Sequence, residues 1–353
     1  MRSNTLSGNR IIDEDIKNIL SADIPWFNFD GATILVTGGA GLLGSYIVDT
    51  LLAISVIFPG HGPKNILVMT RNSDKARDRF SNYKYRNDLK FIANDVCNRI
   101  SIKGPLEYII HAASPASPNQ YSQYPAEVLD ANITGTRELL ELARAKKSKG
   151  FMFLSSGEVY GKVEKIPTKE SDYGYIDLLN IRSCYSEGKR AGEALCVAWF
   201  HQYNVPTKIV RPFHTYGPRM EIGDGRVFAD FVEDILENRN ITLFSDGATT
   251  RAFCYISDAI AGFFKVLLNG EPATAYNVGS DVEISISDLA EKLVKEFSEK
   301  NISIIHKQRK HSNYLISPID RACPDISLIE GLGWFADITV EKGFRRVVDS
   351  FTA

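Results

Sequence analysis

Tyr185 and Lys189 stand four residues apart in Cys184-Tyr185-Ser186-Glu187-Gly188-Lys189-Arg190, within a stretch of helical spacing. On a helix, positions i and i+4 share a face. A cation beside a phenol favours phenolate and draws its pKa from about 10 toward working pH. Such a phenol is a base for an alcohol or an acid for a ketone. The spacing recurs by chance, so a surface tyrosine–lysine pair is the alternative. Ser156 lies in Leu154-Ser155-Ser156-Gly157-Glu158-Val159-Tyr160-Gly161, directly after a short apolar run. A hydroxyl just past the C-terminal end of a parallel strand lies where ligands bind, and it can bond the reacting oxygen. A turn serine is the plainer reading.

Upstream, Thr37-Gly38-Gly39-Ala40-Gly41-Leu42-Leu43-Gly44 follows one apolar run and opens a helical stretch. Gly38, Gly41 and Gly44 spell G-x-x-G-x-x-G; Gly39, Gly41 and Gly44 spell G-x-G-x-x-G. Either set permits a tight turn that lets backbone N–H groups approach a pyrophosphate at a helix N-terminus. The expected cofactor is NAD or NADP. NAD selectivity uses an acid at the end of the second strand, on the ribose 2′-hydroxyl. This chain has Met69-Thr70-Arg71-Asn72 there. Arg71 can pair with a 2′-phosphate, which favours NADP, or sit as a solvated charge. Asp95 can accept from the adenine amine or cap a helix.

Elements must carry these groups to one place. Ile34-Leu35-Val36, Ile66-Leu67-Val68-Met69, Phe91-Ile92-Ala93, Tyr108-Ile109-Ile110, Phe151-Met152-Phe153-Leu154 and Lys208-Ile209-Val210 are short apolar runs separated by helical segments. That rhythm predicts strands buried on both faces in a parallel sheet. Long helices are expected over Glu127–Lys147 and Cys184–His201, with shorter ones near 227–238, 257–268 and 286–299. The expected class is α/β: a Rossmann, doubly wound parallel sheet with a smaller C-terminal α/β substrate-binding lobe. Residues 1–30 read as an N-terminal extension with a short helix packing back through Trp26-Phe27-Asn28-Phe29. Residues 31–211 read as the NAD(P)-binding domain, the chain partly returning near 252–268. Residues 212–353 read mainly as the lobe.

The 353 residues are 44% hydrophobic and 24% charged, with a formal charge of −2. That balance excludes disorder or a disulfide scaffold for the whole chain and offers no basic footprint for nucleic acid. Five cysteines without metal-like spacing read as free thiols in a reducing compartment, with no metal site. No apolar run approaches the ~20 residues of a membrane span, and the polar N-terminus shows no secretory signal. A cytoplasmic protein with no membrane partner is expected.

Thr37–Gly44, Ser155–Gly161 and Tyr185–Lys189, in that order, resemble the extended short-chain dehydrogenases/reductases, and more narrowly the nucleotide-sugar epimerases, dehydratases and decarboxylases. His111-Ala112-Ala113-Ser114-Pro115-Ala116-Ser117-Pro118, Gly217-Pro218-Arg219-Met220, Asp224-Gly225-Arg226-Val227 and Thr250-Arg251-Ala252-Phe253 extend the likeness, which is nearest to the UDP-glucuronate decarboxylases. The resemblance implies a nucleotide-sugar substrate and a homodimer paired through the two long helices. It implies that Leu42, Leu43, Val96, Ala112, Ala113 and Ser114 line the dinucleotide site. It places Ser117, His214, Arg219, Arg226 and Arg251 toward the substrate, with Arg251 and either Arg219 or Arg226 facing its diphosphate.

The reaction it implies begins with oxidation at C4′. Tyr185 takes the hydroxyl proton, Ser156 bonds the same oxygen, and Lys189 keeps the phenol ionised and holds the nicotinamide ribose. At 157–158 a 4,6-dehydratase carries Asp-Glu. Gly157 cannot supply that acid, so Gly157 with Glu158 resembles the decarboxylases, and Glu158 joins the catalytic set. Two departures stand out. His214 replaces the usual Asn and invites titration near neutrality, and the ribose acid is missing. Both also fit a shifted substrate, a less usual epimerase or an NADPH-dependent 4-keto-sugar reductase; a 4,6-dehydratase and a non-catalytic dinucleotide sensor are the remaining alternatives.

Overall fold

The computed structural model describes residues 6–223, 225–307 and 319–353. The apolar runs form β1 (Thr33–Thr37), β2 (Asn65–Thr70), β3 (Leu89–Ala93), β4 (Tyr108–His111), β5 (Gly150–Leu154) and β6 (Thr207–Pro212). With a seventh strand, Ala275–Val278, they build one sheet, ordered from that strand through β6, β5, β4, β1 and β2 to β3. Every pairing is parallel, and Val36 lies opposite both Val68 and Ile110. Both faces are covered. Ile34 and Val36 of β1 join the core under one helical layer, while Leu35 joins the other, as the period of two requires.

The first layer contains α1 (Arg10–Ser21), α2 (Leu42–Ile57) and, later in the chain, α8 (Ile256–Asn269). The short α3 (Ser73–Arg79) and α4 (Pro118–Gln123) flank the sheet's C-terminal edge. Opposite lie α5 (Pro125–Lys146) and α6 (Ser183–Tyr203), while α7 (Val227–Leu236) belongs to the lobe. The chain reverses its direction across the sheet between β3 and β4. A crevice therefore opens beyond the C-terminal ends of β1 and β4, the switch point where such sheets bind ligands.

Residues before β1 pack back more fully than through aromatics alone. Asn9 caps α1 by accepting from the N–H groups of Ile11 and Ile12. Ile12, Ile16, Ile19 and Leu20 form its buried stripe. Trp26 meets Phe264 edge-on at 5.1 Å and Phe29 meets Tyr108 at 5.0 Å, while Phe27 stays exposed. The fully buried Asp15 accepts from Tyr46, Tyr255 and Arg346 at 3.0, 2.8 and 2.6 Å, tying α1 to α2 and to the C-terminal helix Val340–Ser350. After β6 the chain builds the lobe from α7, helix Ile286–Glu296 and short paired strands, and it returns to the sheet through α8 and Ala275–Val278. Among the described residues no helix is long and apolar enough to cross a membrane.

Candidate active site

The glycine loop joins β1 to α2. Gly38 adopts φ 66°, and a Cβ there would lie 2.7 Å from the Ala112 carbonyl; one on Gly44 would run into the Gly38 carbonyl. Both positions therefore exclude any side chain, which selects the G-x-x-G-x-x-G reading. Gly39 instead packs inward on Val68. Gly41 is the N-cap of α2 and no side chain caps this end. The first N–H groups, at Leu42, Leu43 and Gly44, have no intrahelical acceptor and open on a cleft of about 1210 Å³. Ala112, Ala113 and Ser114 line its other wall, with the Ala113 N–H donating to Thr37 at 3.3 Å. Arg71 is exposed beyond β2 and lies 4.0 Å from Asp95. Asp95 does not cap a helix: it accepts from the Cys97 N–H at 2.9 Å and closes a turn, with Val96 beside it in the cleft.

At the far end, β5 delivers Ser156. Its hydroxyl accepts from the Glu158 N–H at 3.1 Å, capping one 3-10 turn over Gly157–Tyr160 that turns the Glu158 side chain into the cleft. The turn is anchored from below. Ser155 donates to Glu193 at 2.5 Å, and Arg211 grips both Glu193 oxygens at 2.9 and 2.6 Å. This buried bidentate pair joins β5, α6 and β6, the three elements that place Ser156 and Tyr185.

Tyr185 and Lys189 share the buried face of α6, but their electrostatics differ from the sequence expectation. Burial dominates and pushes the Tyr185 phenol up to about 12; the Ser156 hydrogen bond and the cations Arg226 and Arg182 pull the other way, against Glu158. Burial also draws Lys189 down to about 7. Its ammonium donates to the Leu154 carbonyl at 2.6 Å and lies 5.7 Å from the Tyr185 ring centre. In the protein alone the phenol is thus protonated. Lys189 does not line the cleft; it stands behind Tyr185.

Two residues that pattern reading passed over complete this end. Arg182 donates to Glu158 at 2.9 Å and lies 5.6 Å from the Tyr121 ring centre; Tyr121 stacks on Tyr185 at 4.9 Å and 24°. Arg182 precedes Tyr185 by three positions, so helical spacing carries a signal for it; Tyr121 carries none. Ser117, His214, Arg226 and Arg251 reach the same cleft. Arg226 stacks on Phe228 at 4.7 Å, and Arg251 donates to the carbonyls of Thr250, Ile319 and Asp320. Asp224 of the adjoining motif lies outside the described residues.

One substrate-side expectation needs correction. His214 does not titrate near neutrality. Burial, with Arg251 and Arg226 adding to it, takes its pKa down to about 3, so the imidazole is neutral. Arg219 lines the cleft as well, and there its guanidinium pairs with the fully buried carboxylate of Asp49 on α2. Gly157 carries no acid, and a side chain there would start only 3.1 Å from the Phe213 ring.

A family model described as the NAD dependent epimerase/dehydratase family matches residues 34–279. The chain belongs to this family. UDP-glucuronic acid decarboxylase 2 of Arabidopsis thaliana is 34% identical over 325 residues, covering 91% of this chain and 68% of that protein. UDP-glucuronic acid decarboxylase 6 of the same plant is 33% identical over 320 residues, covering 90% and 88%. Among solved structures, UDP-glucuronic acid 4-epimerase from Bacillus cereus, determined with NAD, aligns at TM-score 0.76 with 24% identity, over 91% of this chain and 99% of that one. At that identity the likeness speaks for the fold, the same doubly wound sheet. The family's nicotinamide dinucleotide fits this site: the uncapped α2 terminus meets a pyrophosphate, and the side-chain-free approach at Gly38 and Gly44 keeps the loop flat against it.

Proposed function

We propose that the protein decarboxylates UDP-glucuronate through a 4-keto intermediate. One observation carries this reading: Ser156, Glu158 and Tyr185 converge on the cleft whose other end is the glycine loop, with Gly157 where an eliminating enzyme needs an acid. The names of the curated relatives support the substrate.

A bound nicotinamide would supply the redox chemistry, exchange of one hydride with C4′. Tyr185 moves the proton of the C4′ oxygen. Arg182 and Arg226 already pull its phenol toward ionisation, and a protonated Lys189 on the same helix face adds to that pull. Ser156, beside the phenol, holds the substrate oxygen in line. With C4′ oxidised, the C5′ carboxylate is β to a ketone. Its bond to C5′ breaks, carbon dioxide leaves, and the electron pair spreads onto the C4′ oxygen held by Tyr185 and Ser156. C5′ then takes a proton, and Glu158, steadied by Arg182, is the group of this chain placed to govern that step. Arg226 and Arg251 serve the diphosphate, and Ser117 and the neutral His214 the sugar.

The chain also fits a homodimer built on α5 and α6. Leu139 and Leu140 are spent on its own core, leaving exposed Ile133 and half-buried Leu129, Leu195 and Trp199 for a partner. Five free thiols, four of them buried, suit a reducing cytoplasm.

The test is a panel of UDP-, dTDP-, CDP- and GDP-sugars with mass analysis of products. Loss of carbon dioxide from UDP-glucuronate, without net consumption of added nicotinamide, is expected. Loss of water from a hexose, or stoichiometric use of NADPH, would overturn the reading.

A further inference from the structure

The adenosine end of the cleft is more cationic than a free ribose needs. Arg71 follows β2 directly, where NAD selectivity calls for a carboxylate. Lys75 and Arg79 of α3, four apart, share one face and line the same cleft as Arg71. The acids of that helix, Asp74 and Asp78, occupy the neighbouring face and open only on an adjoining cleft of about 750 Å³, walled by Ser7, Gly8 and Asn9. No carboxylate of α3 therefore reaches the ribose side.

The charges facing the three cations from other elements leave them undersupplied with anions. Asp95, after β3, stands 4.0 Å from Arg71. Glu221, from the lobe, meets Lys75 at 2.8 Å, but both groups are mostly exposed and such a rim pair is worth little. Asp49 is taken by Arg219. Arg79 makes no ion pair among the described residues. Burial and the neighbouring Arg219 cation disfavour its charge by more than the carboxylates of Asp49 and Glu221 favour it, so an added anion would be welcome there.

We propose that Arg71, Lys75 and Arg79 receive the 2′-phosphate of the adenosine ribose, so that this chain takes NADP in preference to NAD. This rests on the reading that the glycine loop binds a nicotinamide dinucleotide. Guanidinium groups match phosphate geometry bidentately, and Lys75 exchanges its exposed carboxylate partner for a doubly charged one. The Ser7–Asn9 segment walls an outer cleft that Lys75 and Arg79 also line, so both cations stand between the two clefts.

The full chain, stripped of bound nucleotide, is titrated calorimetrically with two matched pairs: NADP against NAD, and 2′-phospho-ADP-ribose against ADP-ribose. The phosphorylated member of each pair is expected to bind on the order of 100-fold tighter, two charged hydrogen bonds being worth about that factor. Added salt should erode the phosphorylated member's affinity more steeply than that of its partner. Arg71→Asp, at an exposed position that leaves folding intact, should reverse the preference. Arg79→Ala should weaken 2′-phospho-ADP-ribose about tenfold and leave ADP-ribose unchanged. Equal affinity within each pair, or tighter NAD, overturns the proposal while leaving the dinucleotide reading standing. Failure of all four ligands to bind overturns both.

Discussion

Replacing Tyr185 by Phe separates chemistry from structure at this site. The ring stays stacked on Tyr121 at 4.9 Å, within the small core of Tyr121, Val128 and Cys184. Only the phenolic oxygen is lost, and with it the capacity for one hydrogen bond toward the neighbouring Ser156. One such bond contributes about 0.5–1.5 kcal/mol, and removing a buried hydroxyl offsets part of that, so the melting temperature should move by only a few degrees. The effect on turnover should be far larger. A positioned acid–base group contributes about 10²–10⁴-fold, equivalent to roughly 3–5 kcal/mol on the barrier. The assay is release of carbon dioxide from saturating UDP-glucuronate, with ADP-ribose titration and thermal melting as controls. Turnover within tenfold of the unaltered protein would remove Tyr185 from the chemistry. Lost turnover accompanied by lost ADP-ribose binding and a large drop in melting temperature would show a structural role instead.

Glu158→Gln keeps an acceptor for Arg182 and removes the carboxylate. Oxidation at C4′ should survive while the later step slows about 10²–10⁴-fold, so reduced-nicotinamide absorbance should build up on adding substrate; unchanged turnover would relieve Glu158 of its role. Arg219→Met strands the Asp49 carboxylate, which is wholly buried, and should cost about 3–5 kcal/mol in urea unfolding, whereas a loss below about 1 kcal/mol would contradict the pairing seen here. Lys189 supplies a pH dependence. Burial lowers its pKa from 10.5 to about 7, so between those values the unfolded chain holds one proton more than the native one. Stability should therefore rise with pH across that window, by at most about 1.4 kcal/mol per unit. Lys189→Met should flatten that slope in urea melts from neutral to alkaline pH, and an unaltered slope would refute the burial argument.

Local features were legible in the amino-acid order because local rules produce them. Six continuous apolar runs become six parallel strands, since strands covered on both faces have no polar side to alternate. Three glycines at spacing three mark the loop, because at Gly38 and Gly44 backbone itself occupies the space of a side chain. The four-residue step from Tyr185 to Lys189 places both on one face of α6 by helix geometry alone. Tertiary structure decided the rest. Arg219 pairs with Asp49, 170 residues away in the chain, at the wall of the cleft. Arg182 finds Glu158 across a turn that spacing does not describe. The ionisation of Tyr185, Lys189 and His214 follows from how much water each loses, and desolvation belongs to the packed chain: the same residues in the same order, unfolded, would titrate like free side chains.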